Sequence, residues 1–219
     1  MANFIASHSA LQQFRTCPKQ FYHLRVAKDF KDTPGEAATW GLEVHKAFED
    51  FVLLGKPMPS NMSQYQKYAD AVTAMPGEKF AEMKLGMRKD GTGCGFFAED
   101  CWLRGVIDIV VLNGQVATLV DWKLGKRMQD DEQSKLSSAL VFANFPDVTE
   151  IRTRWLYLVL KDAKKKDYVV SAKDTLVKRA QGTIADVEWA NKHNSWPAKP
   201  SGLCGKYCAV MSCQHNGRR

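Results

Sequence analysis

The sequence predicts an α/β domain in which a central mixed sheet is flanked by helices, with a cysteine-bearing tail at the C-terminus. Two observations predict it. Apolar residues recur at helical spacing in the first quarter of the chain and again in two later segments, and strand-like runs separated by turn signals lie between them. The resulting order is helices, about three strands, a helix, strands and a last helix, which reads as a mixed sheet. At 219 residues, 45% hydrophobic and 25% charged, the chain is expected to form a single domain spanning 1–219 with a sizeable core.

Ser7 or Ser9 is positioned to cap a first helix with Leu11 and Phe14 on one face, and Cys17-Pro18 interrupts it before Phe21, Tyr22 and Leu24 continue the apolar side. A loop through Thr33-Pro34-Gly35 leads to a long helix from Glu36 to Leu54, where Trp40, Val44, His45, Phe48, Phe51 and Val52 repeat at helical spacing and Gly55 ends the run. A polar helix is expected near Gln64–Ala74. Strands follow at Phe80–Met87, at Phe96–Ala98 and at Cys101–Leu112, with a turn over Arg88–Gly93 between the first two. Asn113-Gly114 joins the third of these to Gln115–Lys123, and Asn-Gly between strand-like runs signals a hairpin whose central residues both need positive φ. A helix over Asp130–Ala143, a strand over Thr153–Leu160, a charged turn at Asp162–Lys166 leading to Tyr168–Val170, and a helix over Ala172–Lys192 complete the pattern. Trp155 and Tyr157 alternate on their strand and read as core.

Thirty-one Lys and Arg against twenty-four Asp and Glu leave a net charge of +7, which permits a polyanionic partner without identifying one. The longest apolar run, Gly105–Leu112, is far short of a membrane span. Met1-Ala-Asn-Phe-Ile-Ala is not a secretory leader, so a chain that neither spans a membrane nor is secreted is expected. Of six cysteines, Cys17 stands near the start, Cys94 and Cys101 in the middle, and Cys204, Cys208 and Cys213 crowd the end. That trio reads as metal ligation before disulfide bonding, whereas Cys94 and Cys101 fit no ligand pattern.

The chemistry concentrates on the hairpin. With Asn113-Gly114 as a two-residue loop, Asp108 is expected opposite Leu119 and Asp121 opposite Val106, so Asp108, Asp121 and Lys123 share a face and the two carboxylates are diagonal neighbours, their Cα atoms ~7–8 Å apart. Among the β-branched residues of an inner strand, such carboxylates suffer desolvation and mutual repulsion. A divalent cation relieves both, and oxygen ligands suit Mg²⁺ or Mn²⁺. Lys123 is placed to act on water or to balance phosphate charge. Against this, acid-x-Lys also occurs at Asp29, Glu82 and Asp162, and Asp121 with Lys123 can be a plain ion pair.

These motifs together resemble the PD-(D/E)XK nuclease superfamily, and within it the RecB-like exonucleases, which include CRISPR adaptation nucleases and phage recombination exonucleases. Gly41-Leu-Glu-Val-His45, Gly105-Val-Ile-Asp108, Asp121-Trp-Lys-Leu-Gly125, Gln133 and the opening Ser9 to Cys17-Pro-Lys-Gln-Phe-Tyr22 match the family's motifs in order. The resemblance implies a restriction-endonuclease-like core and a metal-dependent DNA nuclease, with exonuclease action on ends or single strands. It implies Mg²⁺ or Mn²⁺ held by His45, Asp108, Asp121 and the Trp122 carbonyl, Lys123 acting on the attacking water, Gln133 supporting the site and Glu82 as a further support. Read without the resemblance, His45 on the apolar side of its helix is a core histidine. Lys126 and Arg127 are candidate DNA contacts, and Lys164-Lys165-Lys166 reads as a solvated turn. DNA is the implied partner, a recombination or repair protein a further one, and the bacterial or phage-infected cytoplasm the implied location. An alternative is a nuclease-fold DNA-binding accessory without turnover.

Iron–sulfur members of this family carry one cysteine before the core and three after it. Here Cys17 stands at the first position, and Cys204-x3-Cys208-x4-Cys213 departs from the family's usual Cys-x2-Cys-x5-Cys. The resemblance implies a [4Fe–4S] cluster on Cys17, Cys204, Cys208 and Cys213 that packs the tail, 195–219, back on the N-terminal helix. The alternatives are Zn²⁺ on the terminal trio with His215, or free thiols.

Overall fold

The computed structural model describes residues 4–33, 35–127 and 129–218; Pro34 of the expected loop and Met1-Ala-Asn lie outside them. Among these described residues six strands form one sheet in the order β2-β1-β3-β4-β5-β6. They are β1 (Glu78–Met87), β2 (Gly93–Cys94), β3 (Leu103–Asn113), β4 (Val116–Lys123), β5 (Glu150–Tyr157) and β6 (Asp162–Val169). Among the named strands only β4 and β5 pair in parallel, and the crossover between them carries helix α5 (Glu132–Asn144), as parallel neighbours require. The mixed, helix-flanked sheet is the fold class the sequence predicts.

Helices cover both faces. Helix α1 (His8–Thr16) is capped by Ser7, whose hydroxyl accepts from the Ala10 amide. Pro18 then opens α2 (Pro18–Phe21), which continues as a π-turn over Tyr22–Val26. Helix α3 runs Glu36–Leu54 and stops at Gly55 in the left-handed region, as read from the sequence. The polar segment resolves into a 3₁₀ turn (Ser60–Tyr65) and α4 (Gln66–Thr73), and α6 runs Lys173–His193. Leu11, Leu136, Leu140 and Ile184 of α1, α5 and α6 pack on Val110, Leu119 and Ile151. Val44 and Phe48 of α3, with Tyr65 and Val72, pack on Ile109, Val111, Val120 and Trp122 of the opposite face. No described helix is long and apolar enough to cross a membrane.

Three local expectations are corrected. The hairpin register is Asn113↔Val116 through Ile109↔Val120, so the loop residues are Gly114 and Gln115 rather than Asn113 and Gly114. Gly114 alone of these has positive φ (57°), the sign pattern of a II′ turn with Gly at its first central position. Phe96–Ala98 is not a strand; β1 pairs instead with Gly93–Cys94. The expected charged turn at Asp162–Lys166 is strand β6, paired with β5 along its length, while β5 starts at Glu150 and ends at Tyr157. Its lysines sit on an edge strand, where charge discourages pairing with another chain.

One buried carboxylate ties the helical layer together. Glu132, 4% exposed, accepts from Arg179 of α6 at 2.8 and 3.2 Å and from Arg15 of α1 at 3.4 Å. Burial alone would raise its carboxyl, but Arg179, Arg15 and Lys135 hold it at about 2. A folded-state value below the unfolded one gives stability that is present above about pH 4.5 and is lost as pH falls towards 2. The arginines are half-exposed, so the gain is about 2 kcal/mol rather than the full linkage value. Glu132→Gln should therefore lower Tm at pH 7 and flatten the dependence of Tm on pH between about 4.5 and 2, measured by calorimetry against the wild type.

Candidate active site

The sheet forks where the candidate residues lie. The β3–β4 ladder ends at Ile109↔Val120, after which β3 runs with β1 alone and β4 with β5 alone. Carried one step further, that register sets Asp108 across from Asp121, closer than the diagonal placement the sequence reading expected. The Asp108 carboxylate fills the missing rung by accepting from the Trp122 amide at 2.9 Å.

At the same point two strands change faces. On β3, Ile109 packs under α3 while Ile107 packs under α5, and on β1 Ala81 and Met83 divide in the same way. Regular alternation would keep residues two apart on one face. The pairing Ala81↔Ile109 resumes at Met83↔Ile107 without a register change, so the swap is a local twist centred on Glu82 and Asp108. Glu82 carries the strain as a non-glycine residue with φ of 49°, a conformation that persists where the surroundings over-determine it. The result brings Glu82 and Asp108 beneath α3, where His45 waits. Ligand atoms of His45, Glu82 and Asp108 all lie within 4.8 Å of one another, with His45 Nδ1 3.2 Å from Asp108 Oδ2.

Helix α3 is seated by the next turn. Phe48, fully buried, stacks on Trp122 with ring centroids 3.9 Å apart and planes 11° from parallel. His45, three residues earlier, is thereby fixed over the carboxylates. Burial works against its charged form, but the hydrogen bond and charge of Asp108 raise its pKa above the usual histidine value. Burial and then Asp108 push the Glu82 carboxyl up as well.

Asp121 occupies the other arm of the fork. Its Oδ2 accepts from Gln133 Nε2 at 2.5 Å, and Oδ1 lies 2.6 Å from Lys123 Nζ. That ammonium sits off the hydrogen-bonding directions, leaving Oδ1 without an accepted hydrogen bond, and Gln133 Oε1 is likewise buried and unpaired. Burial and the Asp108 charge push the Asp121 carboxyl up to about 7 despite Lys123. Buried polar atoms are rarely left unpaired, and here two of them border one acidic site. Oxygen and imidazole donors, with spare acceptors beside them, suit a hard divalent cation.

The remaining candidates fall into separate places. Arg127 pairs with Asp162 at 2.9 Å, and Lys126 is exposed just beyond β4. Lys164 donates to the Asp130 carbonyl at 2.8 Å. Cys17, Cys204, Cys208, Cys213 and His215 all line one small cavity, where the Lys199 amide donates to Cys17 Sγ at 3.4 Å; outside it, Trp196 stacks on Phe21. Burial, then the neighbouring thiols, raise the Cys208 thiol. Among the described residues no three of these side chains bring ligand atoms within 4.8 Å. Cys94 and Cys101, assigned no partner from the sequence, are neighbours, and burial with Cys101 pushes the Cys94 thiol up to about 11. The sequence reading passed over His8, whose pKa burial and Lys123 lower to about 4; no spacing marks it, because its position depends on how α1 meets the fork.

Residues 5–90 match the family model of the PD-(D/E)XK nuclease superfamily. A solved structure of a candidate exonuclease from Eubacterium rectale superposes with a TM-score of 0.51 and 12% identity, covering 91% of each chain. The chain shares its fold with that structure, and over residues 5–90 its sequence is similar to the PD-(D/E)XK nuclease superfamily. A second structure, SSO0001, superposes at a TM-score of 0.45 with 13% identity, covering 97% of this chain and 87% of that one. No curated protein matches the sequence. The PD-(D/E)XK match includes His45 and Glu82 but ends before Asp108, Asp121, Lys123 and Gln133, so the grouping of those four rests on the geometry above.

Proposed function

We propose that the chain is a divalent-metal-dependent deoxyribonuclease of the RecB-like kind, an exonuclease acting on DNA ends or single strands. The observation that carries this reading is the convergence of His45, Glu82 and Asp108 beside the buried Asp121–Lys123 pair, in a chain whose residues 5–90 match the nuclease-superfamily model. His45, Asp108 and Asp121, with Glu82 and the Trp122 carbonyl alongside, would hold Mg²⁺ or Mn²⁺. When bound, the cation supplies positive charge against the phosphate and makes water more acidic.

The chain's own residues do the rest. Gln133 holds Asp121 through Oδ2, so that Oδ1 and the Lys123 Nζ beside it would share one water. Lys123 positions that water through Nζ, and Asp121 orients it. The water oxygen attacks phosphorus in line with the P–O3′ bond, which breaks. The water proton passes to solvent and the departing oxygen takes one up, leaving 5′-phosphate and 3′-hydroxyl ends. The net charge of +7 favours a polyanionic substrate, and Lys126 and Arg127 are offered as phosphate contacts. A bacterial or phage-infected cytoplasm and a recombination or repair partner complete the reading.

The test compares initial rates on end-labelled linear DNA and on circular single strands in Mg²⁺. Linear DNA should be degraded and circles spared. Asp121→Ala and Lys123→Ala should each lose ~10²-fold or more in rate with unchanged circular dichroism. A folded Asp121→Ala protein cutting at the wild-type rate contradicts the assignment.

For the cysteine cavity we infer a [4Fe–4S] cluster on Cys17, Cys204, Cys208 and Cys213. Four cysteines, one from the start of the chain and three from its tail, line this one cavity, and four thiolates are the ligand set of such a cluster. Anaerobically purified protein should be brown and carry about four iron atoms, and Cys17→Ala should bleach it and lower Tm. Colourless protein with one zinc, indifferent to Cys17→Ala, assigns the cavity to zinc.

A further inference from the structure

Beyond the fork, two adjoining clefts lead away from Asp121. The first, of about 370 Å³, opens between β3, the start of α1 and α5, and Gln133 forms part of its wall. The second, of about 470 Å³, lies against the π-turn that follows α2. Ser7 and Arg104 line both, so the two are continuous. No Asp or Glu lines either cleft among the described residues, whereas Arg25, Lys28 and Arg104 do. In a chain with 24 acidic residues, an acid-free path carrying three cations and ending at an acidic metal-type site is a polarised surface.

The walls are not uniformly charged. Val106 is 41% exposed on the cleft side of β3. The Arg104 guanidinium lies over the Phe96 ring, 4.8 Å from its centroid, and makes no ion pair among the described residues. A guanidinium braced on an aromatic ring presents its outer face as a flat platform, on which unpaired bases stack. His8, also in the first cleft, is neutral at neutral pH and offers one donor and one acceptor to a base edge. A duplex shows such a wall only its phosphates and groove edges, while a single strand offers base faces to Arg104 and Val106 and phosphates to Arg25 and Lys28.

We propose that this track is the path of one unpaired DNA strand running from the reacting phosphate, past Gln133 and Arg104, to Arg25 and Lys28. The inference rests on the nuclease reading and deepens it, because it makes single-stranded DNA the substrate form that the chain grips beyond the scissile bond. Gln133 joins the two parts, with its amide nitrogen on Asp121 and its side chain in the cleft wall.

The experiment measures binding, not turnover. Fluorescence anisotropy of a labelled oligothymidylate, with Ca²⁺ in place of Mg²⁺, compares the full chain with Arg104→Ala and with Lys28→Glu. Each variant should bind the single strand about tenfold more weakly, with a shallower salt dependence, by about one unit of slope for the charge removed in Arg104→Ala. Blunt duplex should bind the wild type more weakly than the single strand does and should respond less to either variant. Both variants should keep the wild-type response of Tm to Mn²⁺, which shows that the fold and the acidic site survive. Unchanged single-strand affinity in both variants, or tighter binding of blunt duplex than of the strand, overturns the proposal. Failure of the nuclease reading shows separately, as a wild-type protein that binds the strand in Mg²⁺ and never cuts it.

Discussion

Two carboxylates forced together in a poorly solvated fork set the terms for the rest of the molecule. Asp108 and Asp121 lie close together just past the point where the β3–β4 ladder stops, and the Asp108 charge raises the cost of charging Asp121. The surroundings divide the problem. Asp108 is met by the Trp122 amide and by His45, whereas Asp121 is met by Lys123 and Gln133. Even so, Oδ1 of Asp121 is left without an accepted hydrogen bond. A site that stayed this way for stability alone would gain by losing a charge. On the function proposed above, a ligand that carries positive charge relieves that cost.

The fold supplies the positions. The twist at Glu82 and Asp108 moves two acidic side chains from one layer to the other, and positive φ at Glu82 is the local cost. Phe48 on Trp122 seats α3 so that the histidine one turn earlier reaches them. The parallel crossover through α5 brings Gln133 back to the end of β4. The charged network around Glu132 then holds α5 against α1 and α6, which keeps both Gln133 and the cleft wall in place. A side-chain constellation of this kind depends on rigid elements contributing its members.

Much of this was legible in the sequence, and what was missed has a physical reason. Helical periodicity near Glu36 to Leu54 marks α3, because a long amphipathic helix leaves many concordant signals. Strand alternation sets Asp108, Asp121 and Lys123 on one face, and the corrected register alone would keep that, because moving one residue on each strand preserves relative facing; the twist at Glu82 and Asp108 instead turns Asp108 towards α3 and His45. The turn itself was misread: Asn113-Gly114 favours a I′ loop, but pairing of Asn113 with Val116 shifted the loop by one and selected II′. The lysine run was taken for a turn because charge alone does not distinguish an edge strand from a loop. Face swapping at Glu82, the reach of Gln133 to Asp121, and the place of His8 and Arg104 along the clefts follow from packing between elements distant in sequence. No local pattern encodes them.

The most direct measurement of the central claim, that the paired carboxylates are built around a divalent cation, is the melting temperature with and without Mn²⁺ for the wild type and for Asp108→Asn. Binding to the folded state alone stabilises it by about 2.7 kcal/mol at a concentration of a hundred times Kd, and each kcal/mol shifts Tm by ~2–4 °C in a chain of this size. The account predicts a rise of several degrees for the wild type and little or none for Asp108→Asn. An unresponsive wild type, or an equal rise in the variant, would contradict it.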